Sequence, residues 1–113
     1  MYEYKAYVRA VYDGDTITVD VDLGFGVTMT RQKIRLKGID TPELRGGTSE
    51  TKAAAKKSRD RVRGLILGRP VTVKTFKDRK GKFGRWIGEV YLSTGECVNE
   101  LLVEEGLAIR KEY

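Results

Sequence analysis

The stretch from Arg35 to Glu43 combines residue types that can do chemistry: an arginine, two carboxylates and a proline turn at the end of an apolar run. Pro42 fixes its own φ and disfavours helical geometry at Thr41, so Asp40 and Glu43 stand on a defined turn. Polar groups held at the end of a strand have fixed positions. Such groups are the ones that binding and catalytic sites use.

The chain contains no histidine. This excludes catalytic triads, histidine general acids, most zinc hydrolases and nucleases that work through two histidines. Any hydrolysis by this chain must therefore rest on carboxylates, arginines and a hard metal. The lone Cys97 cannot form an internal disulfide, and its place at the start of an apolar helical pattern predicts a small buried side chain rather than a nucleophile.

Two shorter motifs accompany the first stretch, Asp-Gly-Asp-Thr at 13–16 and Phe-Gly-Arg at 83–85. Taken singly, each motif is better explained by local structure. Residues 13–16 are typical of a hairpin turn, residues 83–85 of the entry to a strand, and Asp-Thr-Pro-Glu at 40–43 of a loop before a helix. Only their combination and order carry functional information.

The size and composition indicate one small globular domain. The 113 residues suffice for a single core, and 40% hydrophobic with 34% charged residues argue against disorder and membrane insertion. No apolar run approaches the roughly 18 residues of a membrane span, and no signal-type hydrophobic segment follows the first residues. We expect a monomer of the cytoplasm that does not contact membranes, although a leader removed during maturation would leave no trace in these residues.

The charge balance favours a polyanionic partner. Lysine and arginine number 22 against 16 acidic residues, a formal charge of +6. Neutralising phosphates releases counterions and gives affinity without sequence readout, but a solvated basic surface explains the same charge equally well. The clustering of six cations against Asp78 alone in residues 74–85 adds weight to the first explanation.

Hydrophobic alternation predicts three consecutive strands, at 4–12, 16–22 and 27–39, joined by turns. In the third strand Ile34 and Leu36 share parity with Asp40, whereas Arg35 has the opposite parity. Arg35 and Asp40 can therefore face one site only if the register shifts between them, and Lys37-Gly38 is the expected β-bulge. The residues expected to face the core from the first two strands are Ala6, Val8, Ala10, Ile17, Val19 and Val21, with Thr16, Thr18, Asp20 and Asp22 facing outward.

A helix is predicted from a cap at Thr48 or Ser49 to about residue 67, where Gly68 and Pro70 stop it. Its inward face holds Ala54 or Ala55, Ser58, Val62 and Leu65 or Ile66, and its basic residues, interpreted as solvent-facing surface, are Lys52, Lys56, Lys57, Arg59, Arg61 and Arg63.

Beyond it, the pattern predicts a strand at 71–76, a basic loop at 77–84, and a strand at 85–92 with Trp86 in the core. A short helix then packs Val98, Leu101 and Leu102 inward and ends before Gly106. This order fits an α+β, mainly β fold: a five-stranded, partly open OB-fold barrel with two helices, forming a single domain over residues 1–113.

With the motifs placed between these elements, the chain resembles the staphylococcal nuclease (thermonuclease) family from about Val8 to Ala108. The resemblance is carried by DGDT, RLKGIDTPE, KFGR and VNELLVEEGLA. It implies an SNase-like OB-fold domain that acts as a calcium-dependent phosphodiesterase. Such an enzyme cleaves DNA and RNA, single-stranded or locally melted, with little sequence preference, and leaves 3′-phosphates.

The resemblance also implies the site residues. The Ca2+ ligands fall on Asp15, Asp40 and the backbone carbonyl of Thr41. The catalytic residues fall on Arg35, Glu43 and Arg85, and the substrate-binding residues on Lys82 and Phe83. Two carboxylates and a carbonyl suit calcium, which takes six to eight oxygen ligands in loose geometry.

The implied roles follow from chemical type. Glu43 is the expected general base, or the residue that orients the attacking water. Arg35 and Arg85 are expected to hold phosphate oxygens and stabilise the transition state; for Arg85 we favour charge stabilisation over proton donation, because an arginine is a poor acid. Asp13 is expected to cap its turn or to stand behind the metal ligands.

Departures from the family leave alternatives open. Phe83 replaces a tyrosine, the turn between the second and third strands is longer, and the connection after Glu43 is shorter. The leading hypothesis is an active nuclease, since all six metal-binding and catalytic positions of the motifs hold the right chemical types. The alternatives are a non-catalytic module of the same fold that binds nucleic acid or protein, and an OB-fold binder without chemistry whose binding responds to salt but not to calcium.

Overall fold

The computed structural model describes residues 2–43, 47–76 and 86–111 of the chain. Strands dominate this part of the molecule, and two helices accompany them. In chain order the elements are β1 (Tyr2–Asp13), β2 (Thr16–Asp22), β3 (Thr28–Leu36), β4 (Ile39–Asp40), α1 (Ser49–Ile66), β5 (Pro70–Phe76), β6 (Trp86–Tyr91), α2 (Val98–Glu104) and β7 (Ile109–Arg110).

The five longer strands form a closed barrel in the order β1-β2-β3-β6-β5. All neighbours are antiparallel except β3 and β6, whose parallel pairing closes the barrel. The short strands β4 and β7 pair with each other outside it. The predicted α+β, mainly β architecture with a five-stranded OB-fold barrel and two helices is confirmed. No helix among the described residues combines the length and apolarity that a membrane span requires.

The barrel core follows the predicted alternation except where the ladder is irregular. Ala6 and Val8 are buried, but the register between β1 and β2 shifts between Val8 and Ala10. The extra residue moves Val11 into the core and leaves Ala10 half-buried, which corrects the predicted inward position of Ala10. Thr18 was expected to face outward and is instead buried.

The helix α1 begins and ends where the sequence predicts. The Thr48 hydroxyl accepts a hydrogen bond from the backbone N–H of Thr51 at 3.3 Å, and α1 starts at Ser49. Gly68 follows the helix with φ +71° and donates its N–H to the Val8 carbonyl, 2.9 Å away, so the end of α1 is tied to the barrel. The residues buried on its inner face are Ala55, Ser58, Val62 and Ile66.

Two predictions for the second half of the chain are wrong. Trp86, predicted to lie in the core, is 43% exposed; it is the first residue of β6, and its indole N–H reaches Gln32 Oε1 at 3.2 Å on the surface. Cys97, predicted to be buried, is only partly so, because it precedes α2 as the N-cap. The predicted basic loop at 77–84 lies outside the described residues.

Asn99 connects α2 to the barrel, a role that the sequence pattern did not suggest. The side chain is 2% exposed and accepts a hydrogen bond from the Val90 N–H at 3.1 Å. Its amide donates to the carbonyls of Lys37 at 2.9 Å and Gly88 at 3.2 Å. One side chain thus joins α2 to β6 and to the turn after β3.

Replacing Asn99 by alanine should therefore lower the free energy of unfolding by about 3 kcal/mol, because the buried Val90 N–H and the part-buried Lys37 carbonyl lose their hydrogen bonds to this side chain. Urea denaturation would measure the loss. Glu104→Ala, an exposed change on the same helix, serves as control and should stay within about 0.5 kcal/mol of the wild type. An equally small loss for Asn99→Ala would show that water replaces these hydrogen bonds.

Asp20 organises the outer face of the β2–β3 hairpin. One carboxylate oxygen accepts from the Arg31 N–H at 3.1 Å, where φ is +53°, and the other from Arg9 Nε at 2.6 Å. The Arg31 hydrogen bond first, and then that of Arg9, hold the pKa of Asp20 below its ordinary value.

The pKa of Asp20 is lower in the folded than in the unfolded protein. The ionised carboxylate therefore stabilises the folded state above the unfolded-state pKa of about 3.9, and this stabilisation is lost as the pH falls through the folded-state pKa. Wild type should therefore be more stable than Asp20→Asn at pH 6, and the difference should shrink at pH 3. Urea midpoints of both proteins at the two pH values test this. An equal difference at both would rule out the titration of Asp20 as its source.

Candidate active site

The turn between β3 and β4 brings Arg35 and Asp40 together. β3 ends at Leu36, and Gly38 adopts φ +77°, a conformation that favours glycine. The predicted strand at 27–39 is therefore too long, and a turn at Lys37-Gly38 replaces the predicted β-bulge. The required change of register is nevertheless present, since Arg35 Nη2 lies 3.1 Å from Asp40 Oδ1.

Asp15 reaches the same place from the β1–β2 hairpin. Its backbone carbonyl accepts the Leu36 N–H at 2.8 Å, which docks the hairpin turn against the end of β3. The residue is only 7% exposed. Its Oδ2 accepts the Thr41 N–H and its Oδ1 the Thr16 hydroxyl, both at 3.1 Å. These bonds fix the carboxylate next to the segment that carries Asp40.

The guanidinium of Arg35 lies between the two carboxylates. Its Nη2 is 3.1 Å from Asp40 and 3.5 Å from Asp15, and its Nη1 donates to the Leu36 carbonyl at 3.1 Å. The Arg35 side chain is 11% exposed. Charges this far from water require partners. The three groups therefore form one interdependent cluster built from the β1–β2 turn, β3 and β4.

β7 supports the outer side of this cluster. It pairs with β4, and the Lys111 N–H just beyond it donates to the Gly38 carbonyl at 2.8 Å. The Lys111 ammonium lies 3.7 Å from Asp40 Oδ2, and both side chains are open to solvent. A strand of two residues shows no periodicity that could reveal it in the sequence.

The other predicted site residues divide into three groups. Thr41 is buried beside Asp15, and its hydroxyl has no hydrogen-bond partner in the part of the chain that is described. Glu43 is exposed, three residues beyond Asp40. The predicted residues Lys82, Phe83 and Arg85 lie outside the described residues.

The donor set suits a hard cation. Asp15 and Asp40 offer carboxylate oxygens around the same atom, Arg35 Nη2. Across residues 2–43, 47–76 and 86–111, no three acidic, cysteine or histidine side chains gather into a metal cluster. Carboxylate oxygens are the ligands that hard cations such as calcium bind, together with carbonyl and water oxygens.

Comparison with known proteins adds a family relationship. A family model described as "Staphylococcal nuclease homologue" matches residues 33–113. A thermonuclease of Staphylococcus hyicus is 34% identical over 106 residues, which are 94% of this chain and 59% of that protein. An uncharacterized endonuclease of Escherichia coli O157:H7 is 36% identical over 101 residues, which are 89% of this chain and 57% of that protein.

A third relative shows the same region in another context. Endonuclease YhcR of Bacillus subtilis is 33% identical over 112 residues, which are 94% of this chain but 9% of that protein. The chain thus spans about three-fifths of the length of the first two relatives and a small part of the third.

The β1–β2 turn tolerates no side chain at Gly14. A Cβ there would lie 2.9 Å from Ser58 Cβ and 2.9 Å from Thr41 Cγ2. Gly14→Ala should therefore lower the free energy of unfolding by about 1–3 kcal/mol through overpacking. Gly64→Ala is the matched control: no atom lies within 4 Å of its Cβ, and it should stabilise α1 by about 0.5–1 kcal/mol. Thermal melting would test this, because the melting temperature should fall for Gly14→Ala and rise for Gly64→Ala.

Proposed function

The chain belongs to the staphylococcal nuclease family, and from this premise we propose that it is a calcium-dependent nuclease that hydrolyses phosphodiester bonds of DNA and RNA. We further propose that it acts on single-stranded or locally melted strands with little sequence preference and leaves 3′-phosphates. The observation that carries the proposal is the cluster of Arg35 with Asp15 and Asp40, whose members come from separate segments of the chain.

In this proposal Asp15, Asp40 and the Thr41 carbonyl hold the metal. The carboxylates are positioned in advance: Asp15 by the Thr41 N–H and the Thr16 hydroxyl, and Asp40 by Arg35. A bound calcium would supply charge that polarises the phosphodiester and positions water. The partial exposure of Asp40 leaves this side of the cluster open to a substrate.

Arg35 contributes permanent positive charge at a fixed orientation. Its hydrogen bonds to Leu36 and Asp40 set the plane of the guanidinium. A planar, oriented cation stabilises the additional negative charge of a five-coordinate phosphorus without reorganising during the reaction. We propose the same role for Arg85, with charge stabilisation rather than proton donation.

We assign to Glu43 the task of accepting a proton from the attacking water, or of orienting that water. It follows Pro42, whose fixed φ limits the backbone conformations between Glu43 and Asp40. Its exposure gives it access to water, and the chain has no histidine that could serve instead. Lys82 and Phe83 complete the proposal as residues that bind phosphate and stack on a base.

Purified protein with millimolar calcium should cleave single-stranded DNA and RNA, and an excess of chelator should abolish cleavage. Glu43→Gln should lower kcat by about 10²-fold to 10⁴-fold, because it removes proton transfer while keeping the shape of the side chain. Rates on a labelled oligonucleotide would measure this. Glu50→Gln, an exposed acid in the first turn of α1, is the control and should keep the wild-type rate.

Equal cleavage by wild type and Glu43→Gln would point to a contaminating nuclease and remove the assignment of Glu43. If the wild type leaves both polymers intact but binds them, the chain is a non-catalytic module. Calcium-independent binding that weakens with salt would indicate an OB-fold binder without chemistry.

A further inference from the structure

The basic residues of α1 fall on two sides of the helix. Successive residues turn by about 100°, so positions spaced by four, three and four residues lie along one line. One such line, here called the basic stripe, consists of Lys52, Lys56, Arg59 and Arg63. It extends about 16 Å along the axis at ~1.5 Å per residue. The basic residues on the opposite side are Lys57 and Arg61.

The two sides differ in their partners. Arg61 makes two hydrogen bonds to Glu105 of α2, at 2.7 and 2.9 Å, and so serves to join the helices. In the stripe, Arg59 is bound to Asp60, whereas Lys52 and Lys56 are exposed. Within the three described ranges, neither lysine has a carboxylate at salt-bridge distance.

The stripe works against the stability of the helix that carries it. Lys52 with Lys56, and Arg59 with Arg63, are like-charged pairs four residues apart, an arrangement that destabilises isolated helices by a few tenths of a kcal/mol per pair. The like-charged spacing itself therefore does not stabilise the helix. A row of phosphates alongside it would relieve the repulsion.

The stripe lies beside the hairpin that carries Asp15. Arg63 Nη2 donates to the Val11 carbonyl at 3.0 Å, near the end of β1. Further along α1, Ser58 packs against the turn at Gly14, next to Asp15. The Arg63 end of the stripe therefore lies at the β1–β2 hairpin, and Lys56 and Lys52 lie beyond Ser58 towards the start of α1.

We propose that the basic stripe binds the sugar–phosphate backbone of the nucleic acid strand, at phosphates away from the one that is cleaved. The inference rests on the proposed nuclease function and adds to it a second, sequence-independent contact surface. Charge complementarity identifies the partner, because the exposed Lys52 and Lys56, in a row with Arg59 and Arg63, match the regular charges of a polyanion. The stripe should contribute to affinity for long strands and not to the chemical step.

The test compares Lys52→Gln/Lys56→Gln with Lys5→Gln/Lys57→Gln, which removes the same charge from exposed positions outside the stripe. Lysine and glutamine have similar helix propensities, so α1 should persist in both, and circular dichroism would verify this. The Kd for a fluorescently labelled oligothymidylate of about 20 nucleotides is measured by fluorescence anisotropy at several NaCl concentrations. A chelator in the buffer prevents cleavage.

The stripe variant should raise Kd at least about fivefold at low salt and reduce the slope of log K against log salt by about 1.4, or 0.7 for each lost phosphate contact on a single strand. The control variant should leave the slope near that of wild type. With calcium, KM and kcat for a dinucleotide, which is too short to reach the stripe, should not change in either variant.

If both double variants alter the slope equally, the stripe is general surface charge and the inference is wrong, while cleavage by the wild type would still support the nuclease proposal. Conversely, a selective loss in the stripe variant of a protein that cleaves nothing would uphold the stripe and refute the nuclease.

Discussion

One guanidinium, that of Arg35, holds together carboxylates that come from distant parts of the chain. Asp15 and Asp40 are both within 3.5 Å of its Nη2, and the arginine itself is almost fully enclosed. Two carboxylates this close would repel each other without a cation, and an enclosed arginine without them would be an unpaired charge. Assembly of the candidate site is therefore coupled to closure of the barrel, because β3 delivers Arg35 only when β2 and β6 flank it.

The constraints around this cluster are backbone constraints. Gly14 leaves room for the hairpin turn to approach Thr41 and Ser58, and Gly38 supplies the left-handed conformation that turns Asp40 back towards Arg35. Asn99 then satisfies the Lys37 carbonyl in that same turn from α2. Each of these residues acts through the position of the main chain rather than through charge. The positions of the two carboxylates thus depend on residues that carry no charge and take no part in the proposed chemistry.

The sequence predicts this fold well wherever one strand or helix has a single buried face. Ile17, Val19 and Val21 of the second strand and the inner face of α1 are correct for that reason, because periodicity fixes which apolar residues point inward; Thr18, predicted to face outward, is the exception. The prediction for Ala10 fails because a register shift reverses the alternation. The prediction for Trp86 fails because Trp86 is the first residue of β6 and lies on the surface, although it shares parity with the buried Val90. Asn99 and β7 depend on contacts with distant segments, which local patterns do not contain.

For the site, the opposite parity of Arg35 and Asp40 predicts that the strand register changes between them, and the structure has a turn at that point. Parity does not identify Asp15 as the third member of the cluster. The Asp15 carbonyl accepts the Leu36 N–H because the closed barrel brings the β1–β2 turn next to the end of β3.

Arginine and lysine occupy different environments in this molecule for a physical reason. A planar, weakly hydrated guanidinium tolerates enclosure between carboxylates, so arginine occupies the cluster, whereas the strongly hydrated ammonium groups of Lys52 and Lys56 remain in water. Enclosed arginine gives fixed geometry, and exposed lysine gives mobile charge. In the function that we propose, the first acts at the bond that is cleaved and the second along the rest of the strand.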